Sequence, residues 1–273
     1  MATGLIGVGL LGSAIAERLA AAGFALVSFD ADPAKRVGTK AASAADVARS
    51  CDRLILCLPD SRISAQVLGE IAPALAPGAI VIDTTTGEPS EMESFGRRGF
   101  RYVDATVAGS SEQVRAGEAI VMAGGAPADV GACSDVLHAF AARVFHTGGC
   151  GSAARMKLVV NLVLGLNRAA LAEGLAFAEA CGVDPAAALE VLRAGPAYSK
   201  AMDTKGAKML TRDFAPQARL RQHHKDVRLI LAEGGRLGAR LPLSAVHDEL
   251  LREAEEMGLG DADNSAVIEV MRR

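Results

Sequence analysis

Gly4-Leu5-Ile6-Gly7-Val8-Gly9-Leu10-Leu11-Gly12 opens the chain, and Asp30 ends the next apolar run, 18 residues beyond Gly12. A short apolar strand runs into glycines spaced G-x-G-x-x-G, and a helical pattern follows at once. In such a unit the first glycine, Gly7, makes the tight turn. Gly9 lets a pyrophosphate approach the backbone, and Gly12 lets helix and strand pack closely. The helix N-terminus then faces the anion. Val8, Leu10 and Leu11 complete the loop. Asp30, at the end of the second strand, is placed to accept from the ribose hydroxyls of NAD, and its charge repels the 2′-phosphate of NADP. Lys35 and Arg36 lie close enough to offset part of that repulsion. The expected cofactor is therefore NAD, with NADP as the alternative.

Downstream, the same alternation of strand and helix continues to about residue 150. Strand-like runs lie at 4–8, 25–29, 53–58, 79–82, 102–103, 119–122 and 143–145, with helical patterns at 12–22, 45–50, 63–75, 89–98 and 128–140 between them. This alternation predicts a mostly parallel sheet covered by helices on both faces. After Gly151 the strand signal stops. Residues 153–181 read as one long helix, and Asp184-Pro185 starts another, with Asp as N-cap and Pro in the first helical position. Further helical patterns cover 199–209, 216–237, 243–257 and 265–272. The predicted fold is α/β: a Rossmann-type dinucleotide-binding domain over 1–151, then an all-helical domain over 152–273, joined by the long helix.

That helix carries an unusual pair. In Met156-Lys157-Leu158-Val159-Val160-Asn161-Leu162-Val163-Leu164 the polar side chains are Lys157 and Asn161, four residues apart and so on one helical face. A lysine on an apolar helix is costly unless paired, solvated or used, and burial shifts it towards acid–base work near neutral pH.

Composition narrows the alternatives. With 273 residues the chain has room for two domains, and its net charge of −3 offers no basic footprint for nucleic acid or an anionic membrane. Aromatic residues make up 4%, with no tryptophan, which disfavours stacking platforms for bases or sugars. The five cysteines are scattered, without a CxxC pair, which fits a reducing cytoplasm and no structural zinc. The apolar stretch 158–166 is too short to span a bilayer, and the N-terminal run lacks a basic leader region. No metal site is expected, because the neighbouring His223 and His224 do not have the i, i+4 spacing of a helical metal pair; they and Arg219 and Arg221 are expected at the surface.

The chain resembles the β-hydroxyacid dehydrogenases, a family that includes 3-hydroxyisobutyrate dehydrogenase and, more distantly, 6-phosphogluconate dehydrogenase. The resemblance runs over nearly the whole sequence. It is carried by the opening glycine loop, Cys57-Leu58-Pro59, Asp83-Thr84-Thr85-Thr86, Asp104-Ala105-Thr106-Val107-Ala108-Gly109-Ser110, Gly149-Cys150-Gly151 through Lys157 to Asn161, Lys225-Asp226, and Gly260-Asp261-Ala262-Asp263-Asn264-Ser265.

The resemblance implies that Leu58, Pro59, Thr84 and Thr85 border the nicotinamide end of the cofactor. It places the substrate's carboxylate at Ala108, Gly109 and Ser110, on backbone N–H groups. Lys157 becomes the general acid/base, Asn161 orients the substrate, and Lys225 closes over the cofactor. The substrate is then a small β-hydroxyacid or its semialdehyde, and the helical half is expected to form a homodimer or homotetramer. The usual family segment reads Asp-Ala-Pro-Val-Ser-Gly-Gly, so Thr106, Ala108 and Ser110 depart from it and leave substrate identity open. Competing readings are a non-catalytic dinucleotide sensor and an imine reductase; retention of Lys157 speaks against both.

Overall fold

The structure, a computed structural model, describes residues 2–273 and forms two compact units, one running to Lys157 and the other from Leu158 to Arg273. The expected boundary at 151/152 lies at the start of the long helix; the contact division falls six residues further along it.

In the first unit, strands β1 (Ala2–Ile6), β2 (Leu26–Phe29), β3 (Thr39–Lys40), β4 (Cys51–Leu56), β5 (Ile80–Asp83), β6 (Arg101–Ala108), β7 (Ile120–Gly124) and β8 (Arg143–Gly148) form one sheet of eight strands among the described residues, in the order β3-β2-β1-β4-β5-β6-β7-β8. The pairings are parallel except β6 with β7, which is antiparallel. Alternation along the strands divides the core. Leu54 and Leu56 of β4 and Val81 of β5 face a cluster with Met92 and Phe95, whereas Ile55 and Ile82 face Leu5, Ile15 and Phe140. Side chains two apart share a face, so a sheet with helices on both sides buries both sets.

The helices follow in chain order: α1 (Leu10–Ala21), α2 (Ala44–Ser50), α3 (Ser61–Ile71), α4 (Pro89–Phe95), α5 (Ser111–Arg115), α6 (Pro127–Ala132) and α7 (Ser134–Phe140). Start signals are visible in their sequences. Asp60 caps α3 by accepting from the Ile63 N–H at 2.9 Å, and Ser43 forms a capping box with Asp46 on α2.

Three expectations need correction. The strand expected at 102–103 is eight residues long, because Asp104-Ala105-Thr106-Val107 are buried on both faces and show no alternation. The helix expected over 128–140 breaks at Cys133, whose backbone (φ −102°, ψ 1°) leaves the helical region. The two-residue β3 and the five-residue α5 are too short to carry a periodic signal.

Helix α8 (Ser152–Ala180) passes from the first unit into the second. The second unit also contains α9 (Pro185–Ala194), α10 (Lys200–Thr211), α11 (Leu220–Leu237), α12 (Pro242–Glu256) and α13 (Ile268–Met271). Asp184 caps α9 through the N–H groups of Ala186 and Ala187, with Pro185 in the first turn, as its sequence signals. The unit's core joins Leu171, Ala172 and Leu175 of α8 to Met209, Leu220, Val227, Leu251 and Ile268. A buried ion pair supports it. Lys205 donates to both oxygens of Asp263 at 2.9 and 2.8 Å, and Asp263 also accepts from the N–H groups of Gln217, Ala218 and Ser265. Burial works to raise that carboxyl, but the lysine and serine bonds win and hold it down at about 2.

At 29 residues α8 extends well beyond the apolar stretch 158–166. Among the described residues it is the helix long and apolar enough, by length and composition, to cross a membrane. Its residues Leu171, Ala172 and Leu175 pack in the core just described, as in a core helix of a globular unit.

Candidate active site

The loop Gly7–Gly12 leaves the carboxyl end of β1, Asp30 that of β2, Leu58 and Pro59 that of β4, Thr84 and Thr85 that of β5, and Ala108 ends β6. Strand order reverses between β1 and β4, the switch point where open α/β sheets bind ligands beyond their strand ends. Topology thus gathers one edge from sequence positions more than 100 residues apart.

The glycine loop has the geometry that its spacing predicts. Gly7 adopts φ +94°, and a Cβ there would sit 2.3 Å from the Cys57 carbonyl oxygen; one on Gly12 would sit 2.2 Å from the Gly7 oxygen. Above Gly9, by contrast, a Cβ would meet nothing within 4 Å, so that backbone is open to a ligand. Helix α1 begins there with no side-chain cap and no acid in its first turn, leaving backbone donors for an anion. These features fit a dinucleotide pyrophosphate, with Gly7, Val8, Gly9, Leu10, Leu11 and Gly12 as the cradle. Leu10 is 78% exposed at its rim.

Asp30 is tied to that cradle: its Oδ2 accepts from the Val8 N–H at 2.6 Å and its Oδ1 from the Asp32 N–H at 2.8 Å. Arg36 is held by the carbonyls of Asp30 and Ala41, at 2.8 and 3.0 Å, with its guanidinium 4.5 Å from the Phe29 ring centroid. Lys35 pairs with Asp32 at 3.6 Å. The two cations expected to offset Asp30 therefore already have local partners.

Thr84 and Thr85 are buried, and their hydroxyls serve the scaffold. Thr84 donates to the Leu56 carbonyl at 2.7 Å, while Thr85 Oγ1 accepts from the Leu58 N–H at 3.1 Å and lies 3.2 Å from the Ser64 hydroxyl. Leu58 and Thr85 are thus brought together, though 27 residues apart, and they lock the β4 and β5 ends to each other. Below them Asp83 accepts from the Thr85 N–H at 2.9 Å and from the Tyr102 hydroxyl at 3.0 Å; burial pushes its carboxyl up.

At the end of β6, Gly109 (φ +148°) turns the chain where a Cβ would press to 3.0 Å on Ala119, so only glycine suits the turn. Ser110 closes a capping box with Gln113: its oxygen accepts from the Gln113 N–H at 3.2 Å and its own N–H donates to Gln113 Oε1 at 2.9 Å. The Ser110 N–H, expected to hold a carboxylate, is therefore already engaged by Gln113. Its hydroxyl proton is not consumed by the box. Ala108, where the family carries serine, adds no hydroxyl of its own.

Lys157 Nζ donates to the Val107 carbonyl at 2.6 Å, which puts the ammonium beside the end of β6. Asn161, buried, donates from Nδ2 to Asp226 Oδ2 at 3.0 Å, and Lys225 Nζ lies 3.6 Å from the other Asp226 oxygen. Asp226 is the residue that sequence reasoning passed over. It stood within the Lys225-Asp226 motif, but a dipeptide does not reveal that it meets Asn161 from another helix.

His223 and His224 are not on the surface. Both are buried, His223 with its ring 5.2 Å from that of His247, and His224 between Asp248 and Glu255 at 3.0 and 3.1 Å. Arg219 and Arg221 are exposed.

A glycine cradle and an acid at the end of β2 beside the switch point, with a lysine at the end of β6, are an arrangement that suits a dinucleotide-dependent oxidoreductase. Comparison with known proteins makes this specific. Residues 2–148 match the NAD-binding domain of 6-phosphogluconate dehydrogenase, and 151–271 match the domain described as NAD-binding of NADP-dependent 3-hydroxyisobutyrate dehydrogenase. The chain is 31% identical to 2-(hydroxymethyl)glutarate dehydrogenase of Eubacterium barkeri, covering 98% of this chain and 93% of that one. It is 28% identical to glyoxylate/succinic semialdehyde reductase 1 of Arabidopsis thaliana, covering 100% and 99%. In fold it is similar to Mycobacterium tuberculosis 3-hydroxyisobutyrate dehydrogenase solved with L-serine, with a TM-score of 0.91 at 23% identity over 100% and 99% of the two chains. The chain belongs to the NAD(P)-dependent hydroxyacid dehydrogenases that share the 6-phosphogluconate dehydrogenase NAD-binding domain. As an enzyme of that family it acts on CH–OH groups with NAD or NADP.

Proposed function

We propose that this enzyme interconverts a small β-hydroxyacid and its semialdehyde or ketoacid, with Lys157 as general acid/base and NAD as the preferred cofactor. The observation that carries the reading is the Lys157 Nζ bond to the Val107 carbonyl, which holds the ammonium at the strand ends next to Ala108 and Gly109. When bound, the nicotinamide supplies hydride transfer. The chain supplies position and proton. In oxidation the neutral amine of Lys157 takes the hydroxyl proton; in reduction its ammonium form returns one to the developing alkoxide. Asn161, one turn further along α8, orients the substrate and is itself aligned by Asp226. Gly109 and the Ser110 hydroxyl face the carboxylate, while Leu58, Pro59, Thr84, Thr85 and Lys225 serve the cofactor.

The NAD preference rests on Asp30, whose carboxylate is fixed by two N–H groups while Lys35 and Arg36 are engaged elsewhere. We assign the enzyme to the cytoplasm, consistent with its free thiols. We also assign it a homodimer or homotetramer through the helical half, on the strength of exposed Val163 and Phe177 of α8 (51% and 69%).

The test is an absorbance assay at the NADH band with L-serine, L-threonate, 3-hydroxyisobutyrate, glyoxylate and succinic semialdehyde, using NAD(H) and NADP(H) in parallel. Lys157→Ala is expected to lower kcat about 10²–10⁴-fold on the substrate found. Near-normal turnover in that variant overturns the acid–base assignment. Cofactor binding without turnover of any panel member overturns the substrate class and favours a sensor.

A further inference from the structure

Strand β6 grips the first turns of α8 through four polar contacts. Asp104, fully buried, accepts from the Gly151 N–H on Oδ1 and from the Ala154 N–H on Oδ2, each at 3.0 Å. Thr106, also fully buried, donates its hydroxyl to the Ala153 carbonyl at 3.1 Å. The next residue, Val107, receives Lys157 Nζ on its carbonyl. Residues two apart on a strand project from the same face, so Asp104 and Thr106 address the helix together.

Helix geometry gives these contacts a direction. In an α-helix the carbonyl of residue 153 accepts from the N–H of residue 157. The Thr106 hydroxyl therefore engages the very peptide group that holds the backbone of Lys157. The approach is close on the other side as well: a Cβ on Gly124 would lie 2.4 Å from Asp104 Oδ1 and 2.7 Å from the Ser152 hydroxyl. A buried threonine needs only some acceptor for its hydroxyl. Here that acceptor is 47 residues away, on the lysine's own turn. Proline, usual at this point in the family segment, has no donor that could make the bond.

We propose that Thr106, together with Asp104, is a positioning residue for Lys157. The pair sets the rotation and height of the first turn of α8 against β6, and so the point from which Nζ handles the substrate proton. This rests on Lys157 being the acid/base.

The test compares Thr106→Val, Thr106→Ser and Lys157→Ala in the full chain, using whichever panel substrate is turned over, with amide exchange of residues 151–158 as a readout independent of turnover. Thr106→Val is nearly isosteric and keeps the buried volume. It is expected to lower kcat by about 10- to 100-fold, the scale of a small misplacement of a reacting group. KM for NAD should stay unchanged, the pH profile of kcat should shift, and exchange should quicken within 151–158 alone. Thr106→Ser should restore all three. Wild-type kcat and pH profile in Thr106→Val, beside an impaired Lys157→Ala, overturn the positioning role alone. Parallel loss of kcat, NAD affinity and thermal stability in Thr106→Val overturns it too, showing a structural residue. Full turnover in Lys157→Ala removes the acid–base assignment and this proposal with it.

Discussion

Asp83 and Asp104 stand opposite one another in register on β5 and β6, both fully buried, and each organises a different strip of the candidate site's edge. Asp83 holds the Thr85 backbone where β5 ends, while Asp104 holds the start of the helix that carries Lys157. Burial raises both carboxyls. For Asp104 the N–H groups of Ala154 and Gly151 oppose the rise, and the carboxyl settles at about 6. Each acid is kept because its two oxygens accept separate donors, a geometry a neutral side chain does not reproduce.

Asp104 makes stability depend on pH with a definite sign. Its carboxyl is raised from 3.8 to about 6, so between those values the native state binds more protons than the unfolded chain. Unfolding free energy therefore falls as pH rises through that window and levels off above it, by at most about 3 kcal/mol. Urea titrations of the wild type and Asp104→Asn across the window check this: the variant should show a shallower slope, with Asp83, also raised by burial, supplying part of what remains, and an unchanged slope would show that other groups produce it.

Asp30 should decide between the two cofactors. A 2′-phosphate beside this carboxylate meets roughly 1 kcal/mol or more of like-charge repulsion even in water-like surroundings. Asp30→Ala is therefore expected to move the NADP-to-NAD ratio of kcat/KM up by about ten-fold, with weaker NAD use from the lost ribose acceptor. A ratio that stays put would place cofactor choice elsewhere.

Arg168 is a buried cation whose Nε and Nη1 have no hydrogen-bond partner among the described residues. Burial lowers it to about 10, and Asp263, the acid that opposes the shift, already accepts from Lys205 and several N–H groups. A side chain of similar length without the charge should fit better. Arg168→Met is expected to stabilise the fold by about 1–4 kcal/mol, read as a higher Tm; a lower Tm would mean that the charge is needed where it stands.

Gly165 lies in the middle of a helix, where alanine is ordinarily better by about 0.5–1 kcal/mol. Here a Cβ would come within 2.5 Å of His223 Nε2 and 2.7 Å of His247 Cε1. Overpacking of this kind costs about 1–3 kcal/mol, so Gly165→Ala is expected to lower Tm despite its helix propensity. Chemical denaturation with an unchanged m-value would locate the loss in the native packing.

Much of the candidate site's geometry was legible before folding. The glycine loop and Asp30 could be read because each residue's task is local: a turn, a close approach, an acceptor at a strand end. The α/β half and the helical half showed themselves through their periodicities, and Lys157 and Asn161 through their spacing. The burial of His223 and His224 was not legible, since adjacent polar residues on a helix look like a solvated face until α12 supplies His247 and Asp248. Nor was the capping box that occupies the Ser110 N–H, which depends on the short α5 forming at all.

The dinucleotide-binding fold and the long helix that carries Lys157 thus follow from short-range pattern, where strand, turn and helix preferences act within a few residues. The grip of β6 on α8, the pairing of Asp83 with Asp104 and the link from Asn161 to Asp226 join positions 21 to 65 residues apart. Those contacts exist because a buried polar group must find a partner wherever the chain brings one. Strand order and helix packing choose that partner, and a linear pattern carries no record of the choice.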